Sequence, residues 1–151
     1  MINIQKMTEQ DIDCVVNIEN MLFGKPWSRN IFEKELTLPF SYFYSAHESS
    51  GKDKMIVGYT GFWQIYNEAQ LLTIAVHPKW QNKGIASGLM KFIVKEALYM
   101  DIQKVTLEVR ASNKKAVGFY LKHNFKKKGI RKNYYTDPLE HALLMEKELS
   151  R

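Results

Sequence analysis

Leu71-Leu72-Thr73-Ile74-Ala75-Val76-His77-Pro78-Lys79-Trp80-Gln81-Asn82-Lys83-Gly84-Ile85-Ala86-Ser87-Gly88-Leu89-Met90 is the stretch on which the reading of the fold turns. The apolar, β-branched run from Leu72 to Val76 reads as a strand, and it is stopped by Pro78, which cannot donate to a sheet ladder. A helical apolar period begins at Ile85. Between them lies Gln81-Asn82-Lys83-Gly84-Ile85-Ala86. A helix starting here presents unpaired N–H groups and the positive end of its dipole, and Gly84 with the small Ala86 leaves room for an anion to reach the main chain. Two familiar phosphate loops fail on spacing. A nucleoside-triphosphate loop needs Gly-Lys-Ser/Thr, whereas Lys83 precedes Gly84 and Ile85 follows it; the dinucleotide pattern needs three glycines, and only Gly84 and Gly88 are present.

Working outward, Ile2 and Ile4 alternate with polar residues as a short strand, and Thr8 to Asp11 caps a helix through Ile12, Val15, Val16, Glu19 and Leu22. Gly24 and Pro26 break that helix, and Ser28 caps a second one through Ile31, Phe32 and Leu36. Phe40 to Ala46 and Met55 to Ile65 read as antiparallel strands across a turn at Ser49 to Asp53. Tyr66-Asn67-Glu68 turns the chain into the strand at Leu71. Beyond the loop, Ile85, Leu89, Phe92, Ile93, Leu98 and Met100 mark a helix. Val105, Leu107 and Val109 alternate with Thr106, Glu108 and Arg110, which puts Glu108 on the face opposite the apolar set. A short helix from Ser112-Asn113 to Asn124 and two strands, Phe125 to Tyr135 and Ala142 to Leu149, complete an α/β order with a mixed sheet flanked by helices.

At 151 residues, 45% of them hydrophobic, the chain 1–151 fits one domain. Its one cysteine, Cys14, cannot close an internal disulfide and lies among apolar residues, which favours a buried thiol over a nucleophile and suits a reducing compartment. No apolar run reaches the ~18 residues of a membrane span. The N-terminus lacks the order of a signal peptide. The expectation is a cytoplasmic protein without a membrane partner.

Several separated segments resemble the ribosomal-protein-alanine N-acetyltransferase (RimI-like) branch of the GNAT enzymes. They are the Gln81-to-Ala86 loop, Pro26-Trp27-Ser28, Asn67-Glu68-Ala69 with Ile74 to Pro78, Asn133-Tyr134-Tyr135, Ala142 to Met145 and, most specifically, Leu107-Glu108-Val109-Arg110-Ala111-Ser112-Asn113 with Ala116, Tyr120 and Phe125. The resemblance implies the GNAT fold, acetyl-CoA as co-substrate, no metal, and a protein N-terminus as acceptor, with the N-terminal alanine of a small-subunit ribosomal protein as the leading one; the alternative within the class is another protein N-terminus, a lysine or a small amine. Departures from the family pattern are the absence of arginine from the loop, Asn124 in place of a glycine before Phe125, and Glu140-His141-Ala142 where Glu-Asp-Ala is usual.

On this resemblance Gln81, Asn82, Lys83, Gly84, Ile85 and Ala86 hold the pyrophosphate. Ile74, Ala75 and Val76 hold the acetyl-pantetheine part through main-chain bonds, with the Val76 N–H on the developing oxyanion. An α-amino group ionises near ~8 against about 10.4 for lysine, so a modest base suffices. Glu108 is the candidate base; its other readings are a solvent-facing carboxylate or a partner for Arg110. Tyr120 is the candidate acid for the leaving thiolate, or a packing residue. Asn113 either orients the cofactor or caps a helix. Trp27, Tyr134 and Tyr135 line a peptide groove or pack in the core or a hinge, and Glu68 recognises the acceptor amine or caps a turn.

The net charge of +6 attracts polyanions such as CoA, RNA or the ribosome surface without choosing among them. The basic run Lys126 to Lys132 reads as a solvated strand face, and direct nucleic-acid binding is not required by the leading reading; a non-catalytic CoA- or RNA-binding module is the alternative of another class.

Overall fold

The computed structural model describes residues 1–49 and 55–150; residues 50–53 of the expected turn lie outside them. The elements in chain order are β1 (Ile2–Lys6), α1 (Ile12–Leu22), α2 (Arg29–Glu35), β2 (Ser41–Glu48), β3 (Met55–Ile65), β4 (Glu68–Val76), α3 (Ile85–Tyr99), β5 (Lys104–Arg110), α4 (Lys114–Lys122), β6 (Lys126–Thr136) and β7 (Leu139–Glu148). The seven strands form one sheet in the order β1-β2-β3-β4-β5-β7-β6, antiparallel except where β4 meets β5. This is the mixed α/β architecture expected from the sequence.

The two sheet faces are covered by different helix pairs because alternate strand residues point to opposite sides. On one face α3 and α4 pack Met90, Ile93, Ala97 and Val117 against Leu71, Val105, Leu107 and Met145. On the other, α1 and α2 pack Ile12, Val15, Ile18 and Phe32 against Phe43, Tyr59 and Ala75. Gly61 faces Phe43 across the β2–β3 ladder, and the ring lies so close that a Cβ on residue 61 would stand 2.3 Å from it. Only glycine lets Phe43 lie flat against the sheet here.

Local signals account for the helix starts. The Asp11 carboxylate accepts the Thr8 N–H at 2.9 Å before α1, Ser28 Oγ accepts the Ile31 N–H at 3.4 Å in α2, and Asn113 Oδ1 accepts the Ala116 N–H at 3.2 Å in α4. Asn124 follows α4 with φ 69°, and the Phe125 N–H returns to the Tyr120 carbonyl at 3.0 Å. Asparagine thus serves the left-handed position that glycine occupies in the resembled family, and the helix ends in the ordinary way.

Three expectations are corrected. β4 starts at Glu68, not Leu71, because Glu68 to Gln70 pair with Lys104 to Thr106 of β5. β7 starts at Leu139, three residues before Ala142, because Leu139 and Glu140 pair with Thr136 and Tyr135. Cys14 is exposed, because α1 buries Ile12, Val15, Ile18 and Glu19, and the helical period turns residue 14 away from that face.

Three carboxylates are buried among the described residues: Asp11 accepts Ser45 Oγ at 3.1 Å. Glu19 accepts the Tyr59 hydroxyl and the Trp27 N–H (3.0 Å), and Glu35 accepts Ser41 Oγ (2.9 Å) and Trp63 Nε1 (2.6 Å). Burial, followed by the Glu19 bond, pushes the Tyr59 hydroxyl far up and keeps it a donor.

Candidate active site

The loop after β4 folds as a short 3-10 turn, Pro78–Trp80, then an extended Gln81, Asn82 at φ 61° and Gly84 at φ 83° as the N-cap of α3. Gly84 is required by its left-handed backbone, not by crowding, since a Cβ there would touch nothing; the space above Gly88 is likewise open. Among the described residues no hydrogen bond uses the N–H groups of residues 81–87, whereas Gly88 N–H already bonds Gly84 O at 3.0 Å. These free donors, at the positive end of a 15-residue helix, make an anion cradle.

Within that loop the side chains take different parts. Gln81 Nε2 bonds the Val76 carbonyl at 3.1 Å and its Oε1 accepts Lys115 Nζ at 3.4 Å, so Gln81 shapes the loop and draws a cation to it. Lys83 extends over the Trp80 ring, 5.3 Å from its centroid. Ile85 is buried beneath the loop with Ala86 packed beside it, while Asn82 supplies the turn.

Beyond the loop the sheet opens. β4 runs to Val76 and β5 to Arg110, but their pairing stops at Gln70 and Thr106. The His77 N–H bonds Val57 O of β3 at 2.8 Å. Main-chain groups alternate in direction along a strand, so those of Val76 and Ile74 turn the other way, into the opening beside β5. Ala75 is the exception among the three expected rail residues: its main chain faces β3, opposite Tyr59, and its side chain is buried under α1 and α2.

A cleft of about 460 Å³ lies over β4, β5, β7 and β6, lined among others by Glu68, Gln70, Glu108, Arg131, Tyr134 and Glu146. Glu108 lies on the face opposite Leu107 and Val109, as its alternation indicated. Its side chain is 17% exposed, with Oε1 3.4 Å from an Arg131 nitrogen and Oε2 buried without a hydrogen-bond partner. The sequence offered Arg110 as its partner, but Arg110 is committed to Glu140 (3.3 Å), Pro138 O (3.0 Å), Asp137 O (3.3 Å) and the Tyr135 ring. Hydrogen bonding from Ser112, with Arg110 adding to it, holds the Glu140 carboxyl below the usual range. Glu68 and Glu146 share Lys104 at 3.2 and 3.4 Å, and the Glu68 bond followed by the Glu146 charge raises that ammonium.

On the α3/α4 side, the Tyr120 ring packs on Phe119 and Phe125, each 5.5 Å away. Burial first, then the neighbouring Tyr135 hydroxyl, pushes Tyr120 up to about 12, so it carries its proton at neutral pH. Tyr135 is itself raised by burial, Tyr134 and Glu108. It therefore stands in electrostatic contact with both Glu108 and Tyr120. Tyr134 lines the cleft beneath Arg131, 5.0 Å from ring centroid to guanidinium. A bulge between Arg131 and Tyr135 carries it there, and His141 Nδ1 accepts the Asn133 N–H at 3.0 Å within that bulge.

Trp27 is outside the cleft. Its ring packs on Phe32 and Phe43, 5.4 and 6.1 Å away, because Glu19 holds its N–H and draws the residue into the helix–sheet core. Asn113 is the α4 cap. Lys126, Lys127 and Lys128 are exposed on β6, the edge strand, where lysines discourage further strand pairing.

The sequence profile of the acetyltransferase (GNAT) family matches residues 12–125, which includes the anion cradle, the β4–β5 opening, Glu108 and Tyr120. The chain belongs to that family. This acetyltransferase is 36% identical over 143 residues to a Bacillus subtilis (strain 168) protein with the provisional name ribosomal protein bS18-alanine N-acetyltransferase, covering 94% of this chain and 92% of that one. It is 29% identical to the ribosomal protein bS18-alanine N-acetyltransferase of Escherichia coli (strain K12), with 99% of each chain covered. The crystal structure of the ribosomal-protein-S18-alanine N-acetyltransferase from Escherichia coli superposes with a TM-score of 0.87 at 28% identity, covering 100% of this chain and 96% of that one.

One further polar pair ties the GNAT cradle to α4: Ser87 Oγ in the first turn of α3 meets His123 Nε2 at 3.0 Å. Burial, then Lys147, Lys91 and Lys122, lowers the His123 pKa below its ordinary value. The unfolded chain therefore binds the proton more readily as pH falls below about 6.5, so the histidine's contribution to stability is complete above that pH and is lost on acidification. Urea denaturation of His123→Gln between pH 7.5 and 5 is expected to show a weaker fall in midpoint over this window than the wild-type chain.

Proposed function

We infer that this GNAT-family enzyme transfers an acetyl group from acetyl-CoA to the N-terminal α-amine of a protein in the cytoplasm, with the N-terminal alanine of ribosomal protein bS18 as the leading acceptor. The observation that carries the reading is Glu108, a largely buried carboxylate lining a cleft beside the β4–β5 opening, with the anion cradle at one end of that opening. The names of relatives matched over nearly the whole chain support the choice of acceptor.

The free N–H groups of residues 81–87 suit a pyrophosphate, and the open space above Gly84 and Gly88 admits one against the backbone. Acetyl-CoA, when bound, supplies a thioester carbonyl and a sulfur leaving group. Ile74 and Val76 offer their main-chain groups along the opening, and the Val76 N–H is the donor available to the carbonyl oxygen as charge develops on it. Glu108 takes a proton from the acceptor amine, directly or through water, so that nitrogen can form the new C–N bond. Tyr120 gives its proton to the departing sulfur as the C–S bond breaks. The three cleft carboxylates against Lys104 and Arg131 leave a surplus of negative charge, which favours a cationic chain end arriving from water.

A peptide panel with acetyl-CoA tests the acceptor. Peptides beginning with the bS18 N-terminal sequence are expected to give the highest kcat/KM, ahead of the same peptides with a changed first residue. Acetylation only of an α-blocked lysine peptide would overturn the reading.

A further inference from the structure

We propose that Arg131 is a positioning residue for the transfer: its guanidinium pairs with Glu108 Oε1 and holds the carboxylate in place in the cleft. The proposal rests on the acetyl-transfer reading above. Arg131 stands opposite Ala142 in the β6–β7 ladder, and Ala142 stands opposite Arg110 in β5, so the two arginines and Glu108 project from the same face. Their tasks are divided. Arg110 is bound to the β6–β7 turn and Glu140, and Lys104 is bound to Glu68 and Glu146, which leaves Arg131 as the cation paired with Glu108 among the described residues.

The geometry differs from that of an ordinary surface ion pair, which holds two mobile side chains weakly. Here the arginine is 54% exposed and the carboxylate 17%, and the guanidinium is supported from below by the Tyr134 ring. One carboxylate oxygen is engaged and the other is buried facing no protein donor. A carboxylate free to rotate would lose alignment with the attacking nitrogen, a kind of misplacement that costs up to about 100-fold in rate.

The test is a double-mutant cycle on acetyl transfer to an N-terminal alanine peptide. Arg131→Gln is expected to lower kcat roughly 10- to 100-fold while leaving the KM for acetyl-CoA and the thermal midpoint unchanged. In a Glu108→Gln background the same substitution is expected to have no further effect, because the guanidinium acts only through that carboxylate. The contact is a single nitrogen to a single oxygen, so Arg131→Lys is expected to recover most of the loss. Additive effects of the two substitutions, equal losses in the Lys and Gln variants, or an Arg131→Gln enzyme with wild-type kcat would each overturn the proposal. An active, Glu108-dependent wild type with an indifferent Arg131 overturns the proposal alone; a wild-type chain that acetylates no α-amine overturns the acetyl-transfer reading and the proposal with it.

Discussion

Glu108→Gln is expected to lower kcat for acetylation of an N-terminal alanine peptide by about 10²- to 10⁴-fold, the usual contribution of a positioned general base. The substitution is nearly isosteric, and an amide at the buried Oε2 position can still occupy the cleft, so folding and acetyl-CoA affinity are expected to be retained. What is lost is the acceptor for the amine proton. The size of the effect follows from the surroundings: Glu68 and Glu146 share Lys104, and Glu140 is held by Ser112 and Arg110, so no neighbouring carboxylate is free to replace Glu108. Raising the pH should recover part of the activity, because a larger fraction of the α-amine is then neutral without help from a base. Steady-state rates from pH 6 to 9, with acetyl-CoA binding measured separately by calorimetry, check both statements. Unchanged kcat would remove Glu108 from the chemistry.

Tyr120→Phe is expected to cost roughly 100-fold in kcat. The ring remains, so its packing on Phe119 and Phe125 is preserved and stability should change little. The hydroxyl is the only group removed. Burial and Tyr135 push Tyr120 up to about 12, so it holds its proton throughout the neutral range and can give it to a thiolate, a weaker base than a phenolate that ionises so high. Proton transfer from so weak an acid runs uphill, so the hydroxyl has to lie beside the departing sulfur for the transfer to accompany C–S cleavage. Acetyl donors with a better leaving group should expose the role: the variant is expected to lose less when the thiol that departs is more acidic than that of CoA. Equal losses for every thioester would assign Tyr120 to packing.

Much of the site could be read from single residues. Glu108 interrupts an apolar alternation, and the strand indeed puts it on the face away from the core. Gly84 was legible as a residue that leaves its main chain open, and the space around it is indeed empty; its left-handed backbone was not. Asn113 carried two readings, and the Ala116 N–H bonded to its Oδ1 shows that it caps α4. What could not be read depends on pairings between distant segments. The early end of the β4–β5 ladder leaves no local mark in either strand. The commitment of Glu19 to Tyr59 and of Glu35 to Trp63 joins residues far apart in the chain. Arg131 was hidden inside a basic run whose lysines are indeed solvated, and only the register of β6 on β7 turns this one cation towards Glu108. For Trp27 the resemblance implied a groove and packing was the other reading; the backbone bond to the buried Glu19 carboxylate sets its ring against the core.

The central claim, acetyl transfer to a protein α-amine at Glu108, is tested most directly by incubating the enzyme with acetyl-CoA and unmodified ribosomal protein bS18 and locating the acetyl group by fragment mass spectrometry. A single acetyl group on the α-nitrogen of the N-terminal alanine, absent with Glu108→Gln, is the predicted result. Acetyl groups confined to lysine side chains, or N-terminal acetylation that persists undiminished in Glu108→Gln, would contradict it.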